Sequence, residues 1–215
     1  MFVRDVMSSP VVTVPPDMPF QDALRLMQER KFRRLPVVDA RGRVVGIVAE
    51  RDLLYASPSP ATSLSVWEMN YMLSKIKIER LMTREVISTT PDTVLEAAAH
   101  LMVVHRLGGL PVMEGGQVVG IITETDIFRT LVAMFGGGES GLRLTLQVPK
   151  GKGVLARISQ AVFQLGGEIL SVGSFPIEAK PLEDGLVMKV REVSKEQLID
   201  TLEALGDHVI DAREV

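Results

Sequence analysis

The sequence predicts an α/β (α+β) chain: a doubled β-α-β-β-α unit, its two copies packed pseudo-symmetrically, then a separate β-α-β-β-α-β sandwich. Three observations carry this. Residues 3–54 repeat at 78–128, with an offset of 75 that loses one residue in a turn. A glycine-rich stretch, Gly136-Gly137-Gly138-Glu139-Ser140-Gly141, ends the repeated pattern. Charge divides at the same place: residues 1–134 hold 15 Lys+Arg and 15 Asp+Glu, whereas residues 135–215 hold 9 and 12 and carry the whole net charge of −3.

Composition bounds the rest. At roughly 150 residues per domain, 215 residues give one to two domains with room for a true core. There is no cysteine, which excludes a disulfide framework, a thiolate zinc site, an iron–sulfur cluster and a Cys nucleophile. Hydrophobic residues are 46% and aromatics 5%, so the apolar mass is aliphatic and methionine-rich. Neither half has a basic nucleic-acid footprint, and no stretch is apolar over the length a membrane span needs. The first residues lack a secretory pattern, so the expected setting is cytoplasmic.

Each copy reads the same way. Short extended segments, Pro10–Val14 and Glu85–Thr89, meet Pro-Asp turns in which Asp17 and Asp92 are expected N-caps. Apolar residues at 20, 23, 24 and 27, and at 95, 98, 99 and 102, mark one buried helical stripe per copy. Two β-branched runs follow, Leu35–Val38 with Arg43–Val48 and Leu110–Met113 with Gln117–Ile122, then a helix from Glu50 or Glu124. Between the copies, Ser65-Val-Trp-Glu68 fits a capping box, predicting an extra helix over 65–76 packed on the repeats. The glycine stretch reads as a flexible linker. Beyond it, alternation over Leu142–Val148, a helical stripe over Val154–Leu165, strands at Ile169–Phe175 and Leu186–Val190, a helix over Leu198–Leu205 and a strand at Val209–Arg213 give the ferredoxin-like order. The expected boundaries are 1–60, 61–76, 77–134, 135–141 and 142–215.

The sharpest local signal ends each copy: Gly120-Ile-Ile-Thr123-Glu-Thr-Asp126 and Gly46-Ile-Val-Ala49-Glu-Arg-Asp52. The glycine lets another backbone or a ligand approach closely. A hydroxyl and a carboxylate then stand at a helix N-terminus. Two readings are open: Thr123 and Asp126 cap the helix, or they meet the ribose and phosphate of a nucleotide. Copy one has lost the hydroxyl at Ala49 yet keeps Asp52, which favours a use for the carboxylate beyond capping. Arg30-Lys31-Phe32-Arg33-Arg34 is the densest basic run, read as a solvated helix end or a polyphosphate contact.

The paired Gly-x-x-Thr-x-x-Asp and Leu-Pro-Val motifs over residues 1–134 resemble a tandem of CBS domains, a regulatory module. Residues 141–215, with Pro149-Lys-Gly-Lys-Gly-Val-Leu155, resemble an ACT domain. The order of modules is similar to that of acetoin-utilisation protein B-like proteins. The CBS resemblance implies an adenosine-containing ligand (AMP, ADP, ATP or S-adenosylmethionine) in the clefts between the copies. Asp126 and Asp52 would hold ribose, Thr123 would sit by ribose or phosphate, Arg34 would face phosphate, and Thr13 and Thr89 would line the base or phosphate. Copy one has the Arg without the Thr and copy two the Thr without the Arg, so the copies would build one good site and one weakened one. The ACT resemblance implies dimerisation or amino-acid sensing, with Gly151, Gly153, Val154 and Leu155 as the loop. That loop reads Val148-Pro149-Lys150-Gly151 where an acidic residue before Pro-Gly is common, and Glu168 stands where an Asn is common.

The expectation is therefore a regulatory sensor, not an enzyme. It has no catalytic cofactor, no metal, no nucleic-acid or membrane partner, a homodimeric state and an unidentified regulated protein. His100, His105 and His208 have no ligand spacing, and no set of nucleophile, base and orienting group emerges. The alternative is a constitutive dimeric scaffold with vestigial pockets.

Overall fold

The computed structural model describes residues 1–56 and 75–215. The expected helix over 65–76 lies, apart from its last two residues, outside the described residues. The chain divides into two compact units, Met1–Ile127 and Phe128–Val215.

In the first unit, copy one contributes α1 (Phe20–Arg30), β1 (Arg34–Val38), β2 (Val44–Ala49) and α2 (Glu50–Tyr55). Copy two contributes α3 (Leu95–His105), β3 (Gly109–Glu114), β4 (Gln117–Thr123) and α4 (Glu124–Met134), the last running past the unit boundary. The strands pair as two antiparallel hairpins, β1 with β2 and β3 with β4. The expected first strand of each copy is reduced to one parallel bridge, Val14 to Val37 and Thr89 to Val112. Val14, Phe20, Ala23, Met27, Leu35, Val37, Val48 and Leu53 make one buried core; Leu95, Ala98, Met102, Leu110, Val112 and Ile122 make the other.

Each core is completed by the other copy. Val3, fully buried, packs with Val6 and Met7 into the core of copy two, while Ile78 and Met82 pack into that of copy one. The backbone follows. Ser8 bridges Ile121, and Thr83 bridges Ile47. Leu95 N–H donates to Met1 O at 3.1 Å, and Phe20 N–H to Ile76 O at 3.0 Å. The leader of each repeat, residues 1–9 and 76–84, is thus exchanged, so a sequence copy is not a folded unit.

This exchange corrects one expectation and decides another that was open. Asp17 and Asp92 are not N-caps: the helices start later, after Pro19 and Val94, with no side-chain cap. Carbonyls of the exchanged leaders take the N–H at the helix start instead, and Asp92 pairs with Arg4. Gly46 and Gly120 make room for backbone, not ligand. A Cβ on Gly120 would lie 2.6 Å from Met7 Sδ and 3.1 Å from Ser8 O, and one on Gly46 would overlap Met82 Sδ and lie 3.1 Å from Thr83 O.

The second unit holds β5 (Leu142–Pro149), α5 (Val154–Gln164), β6 (Glu168–Pro176), β7 (Glu183–Arg191), α6 (Lys195–Ala204) and β8 (His208–Glu214). Its sheet runs β6-β7-β5-β8, all antiparallel, which gives a ferredoxin-like appearance. Leu142, Leu144, Leu146 and Val148 alternate onto one face and pack with Ile158, Val162, Leu198 and Leu202 of the two helices. Gly166 and Gly206, at φ +79° and +86°, stop the helices as left-handed residues. The glycine stretch is not free chain. Lys189 Nζ donates to Gly136 O at 2.8 Å and Glu139 O at 2.7 Å, and Gly141 exchanges two backbone bonds with Val215.

Candidate functional site

The sequence-predicted carboxylates sit at matching corners. Gly109 faces Thr123 across the β3–β4 hairpin, and Arg34 faces Ala49 across β1–β2. Asp126 is buried, with 8% of its surface exposed. Its Oδ2 accepts the Thr123 backbone N–H at 2.9 Å and the Thr123 hydroxyl at 2.7 Å, which ties the start of α4. In copy one the Asp52 carboxylate still accepts the Ala49 N–H at 3.2 Å. Losing the hydroxyl therefore removes only half of the cap. Asp52 keeps a structural use, and its survival no longer discriminates between capping and ligand contact.

The copies differ most at the residues before Leu-Pro-Val. Copy one has Arg33-Arg34 where copy two has Gly108-Gly109. The two arginines reach across the pseudo-twofold. Arg33 Nη2 donates to Thr125 Oγ1 at 2.8 Å. The Arg34 guanidinium fills the space that a Cβ on Gly108 would take, and its Cδ lies 3.5 Å from where a Cβ on Gly109 would stand. The Glu124 carboxylate borders the same space. Burial holds the Arg34 pKa below its ordinary value, with Glu124 opposing that and Arg33, Asp52 and Arg51 acting more weakly. A guanidinium still stays charged at neutral pH. Arg34, Asp52, Thr123 and Asp126 thus gather where the two hairpins end. Sequence reasoning names neither Gly108 nor Thr125; the signal for Gly108 is its alignment with Arg33.

Thr13 and Thr89 lie apart from this cluster. Thr89 bridges Val112, three residues along β3 from Gly109, or about 10 Å at strand rise. It is 5% exposed, its hydroxyl has no hydrogen-bond partner among the described residues, and Val14 holds the matching place in copy one. Thr13 lines a different cavity, of 320 Å³, with Pro15, Asp17 and Asp39.

In the second unit, Gly151, Val154 and Leu155 line a 270 Å³ cavity with Val148, Pro149 and Val172. Gly153, at φ +84°, immediately precedes α5. Glu168 is engaged with Arg191 at 2.6 Å. Among the described residues no helix is long and apolar enough to cross a membrane.

Comparison with known proteins bears on the first unit. The CBS domain family model matches residues 3–59 and 78–133. A solved CBS domain pair in complex with 5′-methylthioadenosine and S-adenosyl-L-methionine is 29% identical, with a TM-score of 0.52, covering 62% of this chain and 97% of that one. A Vibrio cholerae protein provisionally named for acetoin utilization is 29% identical, with a TM-score of 0.53, covering 63% and 93%. The structure of CBSX2 in complex with AMP is 30% identical, with a TM-score of 0.50, covering 61% and 96%.

Proposed function

The chain belongs to the CBS domain family, and on that basis we propose that it is a non-catalytic sensor whose first unit binds an adenosine-containing ligand of the AMP, ADP, ATP or S-adenosylmethionine class. Relatives solved with AMP and with S-adenosyl-L-methionine support the ligand class. The observation that carries the reading here is Arg34 lying over Gly108-Gly109 beside Glu124, which brings a cation from copy one to the Thr123–Asp126 corner of copy two. Asp126 would receive the ribose hydroxyls and Arg34 the phosphate, displacing Glu124 as its counter-charge. The copy-one corner has no hydroxyl, and glycines stand where a reciprocal arginine would be, so it is the weaker site. Binding shifts the protein between packings only by its differential affinity for them.

The second unit, in this reading, is an ACT domain that dimerises the protein or takes an amino-acid input. Its strand order and the cavity at Gly151, Val154 and Leu155 support this. A regulated partner protein completes the scheme, and a link to acetoin use draws support only from the Vibrio cholerae structure. One observation favours a second reading, a constitutive scaffold: Asp126 and Asp52 already cap their own helices.

Calorimetry with AMP, ATP and S-adenosylmethionine separates the two. Asp126→Asn and Asp52→Asn keep an acceptor for the cap while removing charge. The sensor reading expects binding that Asp126→Asn weakens more than Asp52→Asn. Equal losses overturn the asymmetry. No rise in melting temperature at about a hundredfold excess over a micromolar Kd overturns the sensor, since such binding is worth about 2.7 kcal/mol.

A further inference from the structure

The sheet of the second unit has a face that its helices leave open, and its side chains form an ordered array. Ser171, Lys189, Arg143 and Arg213 lie in register across all four strands. Gly173, Val187, Thr145 and Asp211 form the next row, and Phe175, Gly185 and Gln147 stand in register beyond it. The first row sets three cations side by side, which by itself is unfavourable. It does so within residues 135–215, whose net charge is −3.

Their compensation is incomplete. Asp211 binds Arg213 at 2.7 Å and lies 3.8 Å from Arg143. Lys189, 7% exposed, is held by the Gly136 and Glu139 carbonyls, which carry no net charge. An ammonium has three donors, and these carbonyls use two of them. Of the five Arg143 donors, one hydrogen bond is spent, on Thr145.

Over this row the face is concave. Phe135 rests on Gly173 and Phe175 on Gly185, each where a Cβ would collide with the ring. The two rings, Val187, Ser171, Arg143 and Lys189 line a cavity of 300 Å³, at the small end of ligand pockets. Rings seated on glycines account for the sheet's smoothness but not for the cations beside them.

We propose that this cavity binds a small monocarboxylate with an apolar body. The carboxylate meets Arg143 and the remaining Lys189 donor, and the body lies on Val187 between the two rings. Among the described residues no acidic side chain lines the cavity, and nearby Asp211 is engaged by Arg213, so an α-ammonium would face two cations without a free counter-charge. The class is therefore acids without a free amine, such as 2-oxo acids or short acyl acids, and amino acids are disfavoured. This cavity adjoins the one at the Gly151–Leu155 loop, sharing Gly173 and Ser174 with it, but contains none of that loop's residues, and the proposal does not rest on nucleotide binding in the first unit.

The test is calorimetry on the 215-residue chain with 4-methyl-2-oxopentanoate, 4-methylpentanoate, leucine and inorganic phosphate. Both acids should bind, and leucine and phosphate should bind at least about tenfold more weakly. Arg143→Gln should weaken the acids by about tenfold or more. Phe175→Ala should weaken 4-methylpentanoate but not acetate. Far-UV circular dichroism checks that both variants fold, and Phe175→Ala reads the site without touching the cations. Equal binding of leucine and its oxo acid, phosphate binding as tightly as the acids, an Arg143→Gln protein that binds like wild type, or no acid binding at about 10 mM each overturns the proposal.

Discussion

Gly108→Ala is the sharpest probe of the Arg34 bridge. A methyl group there overlaps the guanidinium, stands 2.7 Å from Arg34 Cζ and 3.0 Å from Glu124 Oε2. Every atom it meets is the far end of a flexible side chain, so the fold yields easily and unliganded stability should change by no more than about 0.5 kcal/mol. The guanidinium, however, must leave. A charge-assisted hydrogen bond lost to a ligand phosphate is worth about 1.5–3 kcal/mol, or about 10- to 150-fold in affinity. Calorimetric titration of AMP and adenosine into wild type, Gly108→Ala, Arg34→Gln and the double variant reads this directly. AMP should weaken by that factor, while adenosine, which has no phosphate, should change less than about twofold. The double variant should bind AMP no worse than Arg34→Gln, because both changes remove one contact. The reasoning fails if Gly108→Ala binds AMP like wild type while Arg34→Gln does not, or if AMP and adenosine weaken together.

Other outcomes follow from the same geometry. Gly120→Ala drives a methyl into Met7 and the Ser8 carbonyl and should cost about 1–3 kcal/mol in urea unfolding; an unchanged midpoint refutes the close leader approach. Thr89→Val replaces an unpartnered buried hydroxyl with the residue type copy one uses, and should raise stability by about 1 kcal/mol; a loss shows that the hydroxyl is paired. Asp39 accepts bonds from Arg41 N–H and from Arg43 N–H, Nε and Nη2, and the Arg43 bonds in particular hold its pKa below the usual carboxylate value. A lowered folded value gives stability that is present above the unfolded pKa and lost as pH falls through the folded one. The stability gap between wild type and Asp39→Asn should therefore close on acidification, and an Asp39 carboxyl titrating at or above the ordinary midpoint in NMR refutes it.

The hairpins and helix stripes were legible because a strand's alternation and a helix's 3.6-residue period leave direct traces, as at Leu35–Val38 and at 95, 98, 99 and 102. The leader exchange was not. Val3 and Ile78, and Met7 and Met82, are alike in type, so the repeat conceals which leader fills which core. That error propagated: with the partner carbonyls of Met1 and Ile76 out of view, Asp17 and Asp92 looked like the caps the helices needed. At the site, the Thr123–Asp126 pair was readable from spacing. The path of Arg34 across Gly108 was not, since it depends on how the two hairpin ends face each other. Lys189 fastening the glycine stretch was invisible because composition reports the chain's freedom and not its anchors.

The exchanged leaders also set an order of events at the ribosome. Met1–Ser9 is synthesised well ahead of copy two, and Ser8 finds its partner only when Ile121 emerges. The first copy lacks Ile78 and Met82 until the second leader emerges, and the first leader carries an apolar Val3 with nowhere to bury it until copy two follows. Neither half matures alone, so the pair closes late and together, through contacts of long sequence separation that slow folding. A nascent chain stalled between the copies would expose both an unfinished core and an orphan leader, the kind of surface that chaperones hold. For the same reason one copy by itself would leave its core short of the other's leader: each half carries a piece of its neighbour.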